Sequence, residues 1–114
     1  MNLLIETTED IRESGHTPDD IVFIGSEYSG HSCTWDEFQL LANFEYDNGF
    51  GAQRIASDLI IVFKDGTSMW RYEYDGSESW YYSKPFSEPK VRKPIKILGG
   101  SKFAWDTLQE MNKR

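Results

Sequence analysis

Between residues 58 and 84 the chain alternates apolar and polar positions in short runs, "DLIIVF" and then "WRYEYDGSESWYY", punctuated by Asp65-Gly66 and Asp75-Gly76. Asp-Gly between period-two runs is a strong hairpin signal, so this region predicts a three-stranded antiparallel meander. Register then decides which side chains are buried, because a slip of one residue exchanges the two faces. At Asp75-Gly76 a two-residue turn sets Glu73 opposite Glu78, a destabilising like-charge pair. A three-residue loop, Tyr74-Asp75-Gly76, with glycine in a bulge sets Trp70 opposite Trp80 and is the preferred register. With a two-residue turn at Asp65-Gly66 it predicts one core face of Leu59, Ile61, Phe63, Trp70, Tyr72, Trp80 and Tyr82. Aromatic side chains burying about 150–250 Å² each dominate such a core. The opposite face, with Arg71, Glu73 and Tyr81, is expected to point outward, beside an exposed tip at residues 74–76.

Outside the meander the patterns are shorter. "LLIETT" (3–8) reads as a strand, and "TEDIRESG" as a turn of helix stopped by Gly15. "DIVFIG" (20–25) is a second strand between turn signals. Thr34 and Glu37 have the spacing of a capping box. Trp35, Phe38, Leu41 and Ala42 follow at helical intervals, predicting a helix over 35–44. "EYDNGFGAQRIAS" (45–57) is a loop punctuated by glycines. Pro85 and Pro89 end the meander, and "KVRKPIKIL" (90–98) is expected as an edge strand because it contains Pro94. Ser101 is positioned to cap a helix over 102–112 with a stripe of Ala104, Trp105, Leu108 and Met111. The expected fold class is α+β: a mostly antiparallel sheet of about five strands, with two short helices, in a single domain over 1–114.

Composition adds compartment and charge. Of 114 residues 39% are hydrophobic, enough for a core, yet no apolar run approaches the roughly 20 residues of a membrane span. The start "MNLLIETTED" lacks the basic and long apolar regions of a signal peptide, and a lone cysteine, Cys33, fits a reducing compartment. A cytoplasmic location is therefore expected, with no membrane contact. The net charge of −7 is unevenly distributed. Residues 1–57 hold eleven acids against two bases, residues 58–89 six against three, and residues 90–114 two against seven. Such polarity bears on association and not on fold.

Catalytic patterns are weak. Cys33, His31 and His16 lack the paired spacing of a zinc site. "NGFG" (48–51) lacks the spacing and lysine of a phosphate loop. No nucleophile-elbow or Ser-His-Asp pattern occurs, and 19 acids make any pair of carboxylates uninformative. No catalytic residue, metal or cofactor is expected. The basic segment with Lys90, Arg92, Lys93 and Lys96, together with exposed aromatics, is the basis of an alternative: a small nucleic-acid-binding module. The acidic balance argues against direct nucleic-acid contact. It fits either an ordinary solubilising surface or a partner protein with a basic surface, met by carboxylates that stand in for phosphates; the second is the functional expectation. The candidate contacts are Asp36, Glu45, Asp47, Asn48, Phe50, Arg71, Glu73, Asp75, Glu78 and Tyr81.

Three stretches, "TWDEFQLLANFEYDNGFG", "IASDLIIVFKDG" and "WRYEYDGSESWYY", resemble a group of small acidic proteins encoded by bacteriophages. Those share a helix beginning SWEEF-like, a YDxGFG loop, a strand after IAxDL and a DGxWxxRxEYDGSExW hairpin. The similarity covers about residues 34–86 and departs at "TSMWR", where Trp70 stands next to Arg71. The resemblance carries no assigned activity. It implies a phage origin, which favours small inhibitors of host machinery, anti-defence proteins included. Together with the acidic charge and the missing catalytic motifs, the expectation is a non-enzymatic accessory protein in the host-cell cytoplasm that binds and inhibits or modulates a host protein through an acidic, DNA-mimicking surface.

Overall fold

The computed structural model describes residues 1–49, 51–83, 89–99 and 107–113. It is an α+β fold built on a four-stranded antiparallel sheet in chain order. Helix α1 (Leu3–Glu13) is followed by a 3₁₀ turn at Pro18–Asp20 and strand β1 (Ile21–Gly25). Helix α2 (Trp35–Leu41) precedes β2 (Ile60–Phe63), β3 (Ser68–Tyr74) and β4 (Ser77–Ser83), and α3 (Leu108–Lys113) ends the described chain. No described helix is long and apolar enough to cross a membrane.

Two predicted strands are absent. Residues 3–8, expected as a strand, belong to α1. The Asn2 side chain caps the helix by accepting the Ile5 amide at 3.0 Å. The buried row is Leu3, Thr7 and Ile11, one residue every four, with Glu6 beside it. That period is hidden in sequence because Thr7 and Glu6 are not apolar. The hydroxyls of Thr7 and Thr8 bond back to the Leu3 and Leu4 carbonyls at 2.7 and 2.8 Å, so neither competes with the helix. Residues 90–98, expected as an edge strand, join no sheet. Pro94 offers no donor there, and the Lys96 and Ile97 amides are instead taken by the Asn112 side chain at 2.7 and 2.8 Å.

Helix α2 starts as predicted, with the reciprocal Thr34–Glu37 box at 2.9 and 3.1 Å, and stops at Leu41 rather than at 44. Of the helix expected over 102–112, Leu108–Lys113 is helical. Ser101, Ala104 and Trp105 lie outside the described residues, as do Pro85 and Phe50. The chain leaving α2 is stitched to the start of α1 through Leu3 N–H to Phe44 O (3.1 Å) and Tyr46 N–H to Met1 O (2.8 Å).

The two Asp-Gly turns are the reverse of the expected assignment. Asp75 and Gly76 both have positive φ, 51° and 84°, which is the mirror-image two-residue turn that matches strand twist. It pairs Tyr74 with Ser77, Glu73 with Glu78 and Arg71 with Trp80. At the other hairpin Val62 pairs with Ser68 and Phe63 N–H bonds Thr67 O at 2.9 Å. Three residues, Lys64-Asp65-Gly66, therefore form that loop, with Gly66 at φ 85°. The consequence reaches every side chain of β3. Met69 and Arg71 point inward with Ile61, Phe63, Glu78 and Trp80, while Trp70 and Tyr72, expected in the core, point outward with Tyr81. The inward face packs on Leu3 and Ile11 of α1 and on Phe38 and Ala42 at α2.

Candidate functional site

Among the described residues the side chain with the densest set of polar partners is Arg71, expected on the outer face and found 2% exposed. Its guanidinium lies between the rings of Tyr46 and Trp80, 5.6 and 5.1 Å from their centroids. It donates to Glu6 Oε2 at 3.1 Å, to Glu78 Oε2 at 2.9 Å and to the Tyr46 hydroxyl at 2.9 Å. Tyr46 in turn donates to Glu6 Oε1. Glu78 also accepts the backbone amides of Arg54 and Ile55, anchoring the loop before β2. Burial lowers the affinity of Arg71 for its proton, but its bonds to Glu78 and Tyr46 and the charge of Glu6 outweigh that and raise its pKa. Burial and the bond to Glu6 push Tyr46 up to about 12. Both carboxylates are fully engaged, which makes this a structural frame and not an acid–base pair. The like-charge objection to the Glu73–Glu78 pairing dissolves here. Glu78 turns to Arg71, and Glu73 accepts the Gly76 amide at 2.8 Å.

The other expected contacts fall into separate places. Asp47 is exposed and accepts the Gly49 amide at 3.0 Å. The Asn48 carbonyl accepts the Glu78 amide at 2.8 Å, and Gly51 N–H reaches Gly76 O at 3.2 Å. These bonds bring the 45–49 loop against the β3–β4 turn, so Asp47, Asn48 and Asp75 share one end of the protein with Tyr74, 69% exposed. Glu45 pairs with the N-terminal ammonium at 3.2 Å. Asp36 stands on the first turn of α2, and nothing joins it to that end. Glu78 and Arg71 are interior, so neither is available as a surface contact.

Three arrangements escaped the sequence pattern. Trp70, Tyr72 and Tyr81 form an uncharged cluster on the open face, with centroids 5.2 to 5.5 Å apart. His16 stacks on Phe63 at 4.0 Å and joins Asp65 Oδ2 (2.7 Å) to Ser14 Oγ (2.9 Å). Ser14 donates its own proton to the Ile11 carbonyl at 2.7 Å, so this Ser-His-Asp set latches the end of α1 to the β2–β3 turn and holds no poised nucleophile. Bonds from Thr67 and His16 hold the Asp65 carboxyl down at about 2. Third, Asp10 faces a cleft between α1 and β4. Only the His16–Asp65 partnership had a signal in sequence, a histidine shortly after a helix and an aspartate in a turn, and it is a common one.

Among the described residues no group of three or more His, Cys, Asp or Glu is placed to hold a metal ion. Cys33 is half-buried, and burial and the nearby Glu37 carboxylate raise its thiol's pKa. A hollow of about 850 Å³ lies between residues 89–95 and α3, with Arg92, Lys93 and Lys113 in its lining. Comparison with family models, with curated proteins and with solved structures finds no match to this chain.

Proposed function

We propose that this protein is a non-catalytic binding module, a phage-type accessory protein that engages and modulates a host protein with a basic surface. The observation that supports the reading best is the joining of the 45–49 loop to the β3–β4 turn, which sets Asp47 and Asp75 beside an exposed Tyr74. The ordered carboxylates at this end are free to stand in for phosphates, whereas Glu6 and Glu78 are committed to Arg71. The resemblance to small acidic phage proteins supplies the class of partner, the host's own machinery or its defences. The test is direct binding of a basic host protein identified by affinity capture, using the wild type and the Asp47→Asn/Asp75→Asn variant. Affinity is expected to fall about tenfold in the variant, and to weaken with salt in the wild type. Equal affinity for both chains removes the charge-mimic reading.

A second reading, a small nucleic-acid-binding module, is favoured by one observation. The groove beside residues 89–95 is lined by Arg92, Lys93 and Lys113 and, among the described residues, by no carboxylate. A mobility shift on single- and double-stranded DNA and RNA at low salt decides it, and no shift there eliminates it.

A further inference from the structure

Between the second half of α1 and the sheet lies a cleft of about 230 Å³, lined by Asp10, Glu13 and Ser14 of α1 and its cap and by Met69, Trp80, Tyr81 and Tyr82 of the strands. Met69, Trp80 and Tyr82 belong to the covered face, whereas the Tyr81 ring stacks on Trp70 on the open one; among the described residues the charged groups of the lining are two carboxylates three residues apart on α1. Neither carboxylate has a hydrogen-bond or ion-pair partner among the described residues. Arg71, the nearest cation on the sheet, is committed to Glu6 and Glu78. Among the described residues β4 is the outer strand of the sheet, and the cleft lies along it.

A carboxylate pair with no cation, walled by aromatic rings and methylene-sized apolar surface, is complementary to a positive charge on an alkyl stem. Rings hold the cation through their faces, apolar walls take the methylenes, and the carboxylates neutralise the head. We propose that this cleft receives the side chain of a lysine presented by a partner protein. The proposal rests on reading the protein as a binder of basic proteins and names the point where one basic side chain is held. Asp10 carries the sign of the missing charge. Burial, then Glu6 and Glu13, push its carboxyl up to about 6, against a weaker opposing pull from Arg71 and with Glu9 adding to the rise. A bound ammonium reverses that imbalance.

The full chain, labelled with ¹⁵N, is titrated with Nα-acetyl-lysine-N-methylamide while the indole N–H of Trp80, which donates to Thr7 Oγ1 at 2.9 Å, is followed by NMR. Nα-acetyl-norleucine-N-methylamide, which keeps most of the stem and lacks the charge, is the control. A saturable shift is expected with the lysine probe alone, at a dissociation constant on the order of millimolar, as befits a single side chain. It is expected to weaken about tenfold in Asp10→Asn/Glu13→Gln, and to weaken on lowering the pH from about 7 to about 5 in the wild type. Both substitutions remove repulsion, so the variant keeps its dispersed spectrum. Equal shifts with norleucine, an unchanged shift in the variant, or no shift overturns the proposal. Asp47→Asn/Asp75→Asn leaves lysine binding intact, so a failure at the acidic tip and a failure at the cleft are told apart.

Discussion

The two faces of the β2–β4 meander reverse the usual distribution of polarity. The covered face buries a guanidinium and two carboxylates, Arg71, Glu78 and, from α1, Glu6. The open face carries Trp70, Tyr72 and Tyr81 and, among the described strand residues, no charge. Polarity of a strand residue therefore does not assign its face; register does, and register is set by the turn. Met69 and Arg71 are buried together because both alternate with Trp70 in a strand whose turn has two residues. Three oxygens and two ring faces replace most of the water that Arg71 loses on burial, and its Nε–H is left without a partner among the described residues. Among the described residues the aromatic cluster outside has ring contacts with itself and one hydrogen bond, from the Trp70 indole to Ser83 Oγ at 2.8 Å.

The strongest way to break this contrast is to remove the cation. Arg71→Ala leaves Glu6 and Glu78 as unpaired interior charges, and breaking one side of a buried pair typically costs about 3–5 kcal/mol. That is a large share of the roughly 5–15 kcal/mol available to a domain of this size. Urea unfolding is expected to show a large loss in midpoint, with much of it recovered in Arg71→Met/Glu6→Gln/Glu78→Gln. The single oxygen that Glu78→Gln keeps can still accept the Arg54 amide, the shorter of the two bonds that Glu78 makes to this loop, and the longer one from Ile55 is lost. A loss under about 1 kcal/mol for Arg71→Ala would mean that water reaches the network, and the inner face would not be the ionic frame described.

Much of the fold was legible in sequence, and two of the failures, helix α1 and the β3–β4 register, share one cause. Strand β1, the start of α2, its Thr34–Glu37 box and the three meander strands all rest on local patterns that the structure keeps. Helix α1 was misread because its buried row runs through Thr7 and Glu6, whose partners, Trp80 and Arg71, lie 73 and 65 residues away. The hairpin register was misread for the same reason. Glu73 opposite Glu78 is unfavourable as an isolated pair, and nothing within the hairpin shows that Glu6 and the 54–55 amides draw Arg71 and Glu78 into the interior. Asp47, Asn48 and Asp75, which the structure brings to one end, were singled out in sequence because turn residues announce themselves. Asp10 was not, because its cleft is made by a helix that the pattern did not show.

Asp10 offers a smaller and sign-reversing probe of the covered face. Its carboxyl rises from 3.8 to about 6 on folding. Below the lower value the group is protonated in both states and costs nothing. As pH climbs through that window the unfolded chain releases a proton that the folded one retains, so stability falls with rising pH. Asp10→Asn is expected to remove this slope. It should match the wild type near pH 3.5 and exceed it near pH 7 by about 1 kcal/mol, after allowing for solvent screening of a partly exposed group. Thermal melts across that range measure it. A wild type whose stability is flat between pH 4 and 6 relative to the variant would show that Asp10 is solvated and the cleft is wide open.

The smallest expected effect tests the open face. Trp70 and Tyr81 stack across β3 and β4 at 5.2 Å, and Tyr72 meets both edge-on. Cross-strand aromatic pairs on one sheet face contribute roughly 0.2–1 kcal/mol, so Trp70→Thr and Tyr81→Thr should each cost about that much, with a coupling near 0.5 kcal/mol in the double variant. Truncation of a large core side chain costs several times more, about 3–5 kcal/mol for Phe or Trp. The face is therefore diagnosed by size of loss. A small, coupled loss is the signature of a surface cluster that water reaches on one side, as the 45% and 37% exposure of Tyr72 and Tyr81 requires. A loss as large as that of a core residue would mean that something covers these rings in solution, and the two faces of the sheet would then be two halves of one interior.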